Sequence, residues 1–391
     1  MKLTMRYIVR DIEKELSKAV RHFPAVILTG PRRAGKTTLL RHMFPRAAYV
    51  LMEDPDVIAR VRSDPNTFLD ELQTPAILDE VQNVPEVFNY VRTRIDRNPR
   101  GFGKWLLTGS QEASLMKGVT ESMAGRAAVF QLLPFSVRES PKVTVLRGGF
   151  PEVLARPTGA NTWFRSYVQT YLERDVRAIS SIRDLATFHR FLSLLASRCG
   201  QVLNKTDLAA PLGVSVPTLS EWINILEITG QIILVPPFYE NFGKRLIKSP
   251  KLYFTDSGLL SHVLGIDSEK TLNHSVFLGP IFEGFVASEI VKGQTHAGKA
   301  KALYFFRDQQ GLEVDFVLPL GERKLALLEA KASRTPVPDM GKPLDRLARS
   351  IKNYTTTGYV VCRSVGEGRN FRALCPGVRT ITVEELPTVS N

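Results

Sequence analysis

Gly30-Pro31-Arg32-Arg33-Ala34-Gly35-Lys36-Thr37 is the stretch from which the rest of the chain can be read. It fits the spacing G-x-x-x-x-G-K-S/T of a phosphate-binding loop. Before it, Ala25-Val26-Ile27-Leu28 is a short apolar run that predicts a buried strand. After it, Thr37 to Met43 holds no breaker and predicts a helix. A glycine-containing turn between a strand and a helix N-terminus gathers free backbone N–H groups and the positive end of the helix dipole around an anion. Gly30 and Gly35 let the backbone curl. Lys36 is placed to reach outer phosphates, and the Thr37 hydroxyl to hold a magnesium ion. Arg33, Ala34 and Thr38 complete the expected cofactor-binding set, and the expected cofactors are ATP and Mg2+.

Working outward, residues 11 to 22 carry Ile12, Leu16, Ala19 and Val20 at helical spacing. Strands are expected at 47–52, 75–80, 105–110 and 127–133, with helices at 68–72, 85–97 and 112–123 between them. Strands alternating with helices predict an α/β fold whose parallel sheet is covered by helices on both faces. The run ending in Leu78-Asp79-Glu80 puts two acids at a strand end. Asp79 is expected to bind magnesium and Glu80 to orient and deprotonate the attacking water. Ser110, or Thr108 beside it, ends the next strand and is a candidate sensor of the γ-phosphate. Arg126 is either an arginine finger, reaching across a subunit boundary if the chain forms a homo-oligomer, or half of a surface ion pair.

Composition sets the frame around this motif. A length of 391 residues favours two or three domains. Lys and Arg number 52 against 39 Asp and Glu, so the net charge is +13. That excess points to a polyanion such as DNA, met through a basic surface. Three scattered cysteines offer neither a disulfide framework nor a zinc knuckle. No apolar run approaches the about 18 residues of a membrane span, and the N-terminus has no apolar signal region. A cytoplasmic location, with no membrane partner, is expected.

Beyond Pro141 the pattern becomes helical: Phe164, Tyr167, Val168, Tyr171 and Leu172 form one stripe within 161–198. Residues 204–212 and 215–228, separated by Gly213, read as helix-turn-helix. Two strand-like runs follow at 231–236 and 251–255, with Lys244, Arg245 and Lys248 between them, and the whole suggests a winged helix. These cations and Lys251 are the candidate DNA-backbone contacts, whereas Glu221 and Glu227 on the second helix would repel phosphate. The alternative is a lid or oligomer contact for the ATPase. From residue 280 a helix, three strands (303–307, 312–318 and 325–332), a helix at 345–354 and a strand at 358–362 form a further α/β unit. The expected domains are 1–140, 141–256 and 257–391.

In the last unit a symmetric hairpin centred at Glu322 sets Asp315 opposite Glu329, with about 4.5–5.5 Å between their Cβ atoms. Such like charges require a cation between them, met by a metal ion or by the Lys331 ammonium. In the same register Glu313 faces Lys331, so simple cross-strand charge pairing is the alternative.

Lys36, Thr37, Leu78-Asp79-Glu80, Leu107-Thr108-Gly109-Ser110 and Ala124-Gly125-Arg126 resemble the AAA-type ATPases of prokaryotes that carry a C-terminal domain of unknown function. The likeness continues through Gly148-Gly149-Phe150-Pro151-Glu152, Tyr171-Leu172-Glu173-Arg174-Asp175 and Lys248-Ser249-Pro250-Lys251. It implies ATP binding and hydrolysis. The C-terminal unit looks like a restriction-endonuclease-like fold. By that likeness Glu283, Asp315 and Glu329 would bind metal and Lys331 would help activate water, although Val314, not Pro, precedes the Asp. The expected function is an ATP-hydrolysing protein acting on DNA, with metal-dependent nuclease chemistry or, alternatively, as a nucleotide-dependent switch or scaffold that does not cut.

Overall fold

The computed structural model describes residues 7–109, 122–172, 185–238, 249–364 and 373–388. The expected helix at 112–123 falls almost wholly outside these residues, as do Ser110, Lys244, Arg245 and Lys248. The chain divides into two compact units. One comprises residues 1–135 with the short segments 228–230 and 295–299; the other holds the remainder. The first division falls after residue 135, and apart from those two short segments the stretches expected as separate middle and C-terminal domains share one unit.

The first unit is built on α1 (Glu13–Ala19), β1 (Ala25–Thr29), α2 (Lys36–Met43), β2 (Ala48–Leu51), α3 (Pro55–Ser63), α4 (Pro65–Asp70), β3 (Ala76–Asp79), α5 (Val87–Arg97), β4 (Trp105–Thr108) and β5 (Ala127–Gln131). The strands form one parallel sheet in the order β2-β3-β4-β1-β5. Alternation along β1 splits the core. Ile27 packs with Leu78, Leu107, Phe88 and Val91 on one face, while Val26 and Leu28 pack with Ile12, Leu16, Leu39 and Leu106 on the other. The central strands are buried throughout, as a sheet covered on both faces requires. α3 was not legible in the sequence. It is a charged helix that buries only Val61, and its start is fixed locally by the Asp54 side chain accepting from Asp56 N–H, with Pro55 in the first turn.

The second unit begins with α6 (Pro151–Ala155) and α7 (Ala160–Tyr167), which runs into a π-helical turn at Val168–Leu172. Within the stretch 161–198, where a helical period is expected, the described residues are helical up to Leu172 and again in α8 (Leu185–Ser197). α9 (Lys205–Leu212) ends at Gly213 in left-handed backbone (φ 66°), and α10 (Val216–Ile228) follows. β6 (Ile232–Val235) and β7 (Lys251–Phe254) pair antiparallel. α11 (Ser257–Val263), α12 (Glu269–His274) and α13 (Leu278–His296) lead to a six-stranded mixed sheet. Its strands are β8 (Tyr304–Arg307), β9 (Glu313–Gly321), β10 (Lys324–Lys331), β11 (Thr355–Cys362), β12 (Ala373–Cys375) and β13 (Val378–Ile381), in the order β12-β13-β11-β10-β9-β8. α14 (Lys342–Ser350) packs Leu344 and Leu347 into its core. The short β12 and β13 carried no clear strand signal. Among the described residues no helix is long and apolar enough to cross a membrane.

Candidate functional site

The phosphate loop leaves β1 and enters α2 through left-handed backbone at Gly30 (φ 137°), Arg33 (φ 63°) and Gly35 (φ 99°). A Cβ at Gly30 would lie 2.1 Å from the Leu132 carbonyl oxygen, so only glycine fits. Arg33 adopts this conformation in spite of its Cβ, a strain that persists only where the surroundings over-determine the turn. Such a turn directs backbone N–H groups into a concavity suited to anions. Lys36 is buried, and its Nζ donates to the carbonyl oxygens of Gly30 (3.1 Å) and Pro31 (3.0 Å). Ala34 is buried beneath the loop, while Thr38 is exposed on a cleft it shares with Thr37, Arg41 and Tyr49.

Strand order explains the rest of this site. β4 lies between β1 and β3, so Thr108 at its end sits between the loop and Asp79. Asp79 is only 2% exposed. Thr37 Oγ1 donates to its carboxylate at 3.0 and 2.9 Å, Thr108 Oγ1 donates to Oδ1, and the Tyr49 hydroxyl donates to Oδ2 at 2.8 Å. Burial first, and then the Asp79 charge and hydrogen bond, push the Tyr49 phenol well above its ordinary pKa, so it stays a donor. A carboxylate and a threonine hydroxyl at a helix N-terminus form the all-oxygen donor set that magnesium prefers. Glu80 follows in left-handed backbone (φ 59°); its N–H donates to Thr108 Oγ1 at 3.1 Å and its Oε2 accepts from Gln82 Nε2 at 2.5 Å.

Arg126 is not brought to this site. It immediately precedes β5, and Ala127 pairs with Ala25 at the start of β1, whereas the phosphate loop follows the other end of β1. Its guanidinium binds Asp96 through Nε (2.6 Å) and Nη2 (3.0 Å). The surface ion pair is what forms; a finger role within one chain is corrected by this topology.

A second cluster of charges occupies the C-terminal sheet. Leu328 pairs with Phe316, which brings the next residues along, Glu329 and Asp315, together. Asp315 Oδ2 accepts from Ala330 N–H at 3.0 Å. Glu283 comes from α13. The cation among these carboxylates is Lys251, the first residue of β7. Its Nζ lies 3.0 Å from Glu283 Oε1, 2.6 Å from Glu313 Oε1 and 3.5 Å from Asp315 Oδ1. Lys251 is therefore no DNA contact: its side chain is 2% exposed. Glu313, expected to face Lys331, instead pairs with Lys251 and, at 3.6 Å, with Arg307. Lys331 Nζ binds Glu329 Oε2 at 2.7 Å.

Electrostatics follow from this packing. Burial would lower the Lys251 pKa, but Glu283, Asp315 and Glu313 outweigh it and hold the ammonium charged. Burial and the Asp315 charge, against the pull of Lys251, push Glu283 up to about 7. Burial and Asp315, against Lys331, push Glu329 up to about 8. Among the described residues no group of three or more His, Cys, Asp or Glu is disposed to hold a metal ion. The expected ligand set of Glu283, Asp315 and Glu329 thus does not fit a metal: the oxygens that would face it are turned to Lys251, Lys331 and Tyr253, whose hydroxyl lies 2.5 Å from Glu283. Tyr49 and Gln82 were missed in the sequence, and Lys251 was given a different role, as a DNA contact. The signal for its buried role was a charge opening the otherwise apolar run Leu252-Tyr253-Phe254.

Comparison with known proteins adds the following. Residues 22–140 match the family described as an AAA domain; residues 138–270 and 278–370 match two domains of unknown function, DUF8612 and DUF4143. Uncharacterised proteins of Mycobacterium tuberculosis and Mycobacterium bovis are each 32% identical over 334 residues, covering 84% of this chain and 74% of theirs. Among solved structures, a Walker-type ATPase of Pyrococcus abyssi aligns with 67% of this chain and 99% of its own at 15% identity (TM-score 0.41). AMPPCP-bound DnaA from Aquifex aeolicus aligns with 55% of this chain and 85% of its own at 13% identity (TM-score 0.27).

Proposed function

Since the chain belongs to the family of prokaryotic AAA-type P-loop ATPases that carry the C-terminal domain of unknown function DUF4143, we propose that it converts ATP and water to ADP and phosphate at the phosphate loop and couples this to action on DNA. The observation that carries the reading is the meeting of the Thr37 and Thr108 hydroxyls on one buried carboxylate, Asp79. Gly30, Arg33, Ala34, Gly35, Lys36, Thr37 and Thr38 would hold the nucleotide phosphates, and Thr37 with Asp79 would hold Mg2+. The ion would supply charge neutralisation at the phosphates. Lys36 adds a fixed positive charge within the loop. Glu80, beside Asp79 and Thr108, orients water and takes its proton once its Gln82 hydrogen bond is exchanged. Hydrolysis by the full chain tests this: Lys36→Ala should lose nucleotide binding and turnover together, and retained tight binding would overturn the assignment.

DNA is the proposed partner because the net charge is +13. α9, α10 and the β6–β7 hairpin have the order of a winged helix, and we assign the phosphate contacts to Lys244, Arg245 and Lys248. The family matches at 22–140, 138–270 and 278–370 favour three functional parts with a first boundary near 140 and a second after residue 270, later than the 256 expected from the sequence. Turnover measured with and without DNA at two salt concentrations is the test. Stimulation that fades with salt supports DNA action; turnover indifferent to DNA leaves a nucleotide-dependent switch.

A further inference from the structure

We propose that Lys251 is the resident cation of the C-terminal acidic cluster, so that this domain joins β7 to the sheet through an ammonium lock and does not take up the divalent ion that cleavage would need.

The geometry is that of a filled site. Glu283 from α13 and Glu313 and Asp315 from β9 converge on one point, and that point is Lys251 Nζ, at 3.0, 2.6 and 3.5 Å. Like charges at this spacing require a positive group between them. The chain supplies its own, on a side chain only 2% exposed. Backbone packing delivers it. Lys251 opens β7, where Leu252 N–H donates to Gln201 O (3.1 Å) and Gly200 N–H to Leu252 O (2.7 Å), and Pro250 O accepts from Leu203 N–H (2.8 Å). This pairing with the 200–203 segment fixes where the Lys251 backbone sits, and burial of its side chain limits the room for the ammonium to turn elsewhere. Surroundings close the remaining room. A Cβ on Gly200 would stand 3.3 Å from Glu283 Oε2, Tyr253 OH is 2.5 Å from Glu283 Oε1, and the Phe305 ring centroid is 5.7 Å from Lys251 Nζ. The remaining acid, Glu329, is turned to Lys331. A divalent ion would have to displace a buried ammonium that already holds three carboxylates.

This inference does not depend on the phosphate loop, and its test removes that site from the readout. All proteins carry Asp79→Asn. Manganese binding to the full chain is measured by the electron paramagnetic resonance of free Mn2+, alongside nicking of supercoiled plasmid DNA. The chain with native Lys251 should bind no Mn2+ at the cluster and nick nothing. Mn2+ uptake or nicking that Asp315→Asn abolishes would overturn the proposal. Lys251→Ala should gain a Mn2+ site and show a melting temperature raised by several degrees on adding Mn2+. A folded Lys251→Ala that binds no more Mn2+ than its parent would equally overturn it. Lys251→Met keeps the aliphatic stem and guards against failure to fold. It should lower the melting temperature, and Glu283→Gln added to it should restore a good part of the loss. Additive losses in that pair would show that no lock exists.

Discussion

Asp79 and Asp315 are buried aspartates of two different sheets, and they are held in opposite ways. The described partners of Asp79 are hydroxyls, from Thr37, Thr108 and Tyr49. Asp315 sits beside the Lys251 ammonium, with the Glu329–Lys331 pair next to it. Neutral donors fix a carboxylate in place and leave its charge to be met by a cation. An ammonium meets that charge permanently, because separating a buried pair strands a charge in a poor solvent. Two acids of one type therefore mark an open site in one unit and a closed one in the other.

The sharpest way to break this contrast is one substitution made in both places. Asp79→Asn should lower ATP turnover on the order of 10²–10³-fold, the cost of losing a preorganised charge at the phosphates. Asp315→Asn should leave turnover unchanged. Equal losses in steady-state phosphate release would mean that the two acids act as one system. Within the open site, Glu80→Gln should retain ATP binding and lose roughly 10²-fold or more in turnover, as removal of a general base requires. Turnover equal to wild type would assign the base elsewhere. Tyr49→Phe is gentler: it deletes one donor to Asp79 and should raise the Mg2+ concentration for half-maximal turnover by about 10-fold. An unchanged requirement would make Tyr49 a packing residue of the edge strand.

These outcomes bear on what a sequence can carry. The phosphate loop is local. Its glycines, lysine and threonine lie within eight consecutive residues, and strand and helix periodicity on either side settles its context. Asp79 was legible because a parallel sheet sends its strand ends to one edge, and a polar residue ending an apolar strand is conspicuous. Tyr49 was not, since its role depends on β2 pairing with β3, a choice made by sheet order rather than by nearby residues. Hairpin symmetry brought Asp315 to Glu329 because turn length fixes register. Lys251 was misassigned for the same reason that Tyr49 was missed. It lies 64 positions from Asp315 in sequence (315 − 251), and its cluster exists only after β7, α13 and β9 have packed. Arg126 shows the converse: its Ala-Gly-Arg context suggested chemistry, and strand direction keeps it from the phosphate loop of its own chain.

The closed cluster should also declare itself in stability. Glu283 and Glu329 have folded-state values of about 7 and about 8, above the ordinary 4.5. The folded chain then binds more protons than the unfolded chain between those limits, so stability falls as pH rises. The contribution is whole below pH 4.5 and gone above about 8. Glu329 is faced by Asp315 and Lys331, and Glu283 by Asp315, Lys251 and Tyr253. Glu329→Gln carries no charge at any pH and should flatten the decline in melting temperature across that window. A slope identical to wild type would place the titration elsewhere.

Arg126→Ala is the smallest effect and the last test of where the open site ends. The Arg126–Asp96 pair is exposed, and such pairs are screened by solvent and offset by the entropy of two ordered side chains. Raised binding of the proton by Arg126 and lowered binding by Asp96 both trace to their mutual hydrogen bond, so the two groups account for each other. The variant should therefore melt with wild-type stability and hydrolyse ATP at the wild-type rate when dilute. Concentration is the discriminating variable. A finger supplied by a neighbouring copy would have to leave Asp96, and the loss of turnover in the variant would then grow as protein concentration rises. A rate that matches wild type at every concentration confines the open site to α2, β2, β3 and β4 of a single chain.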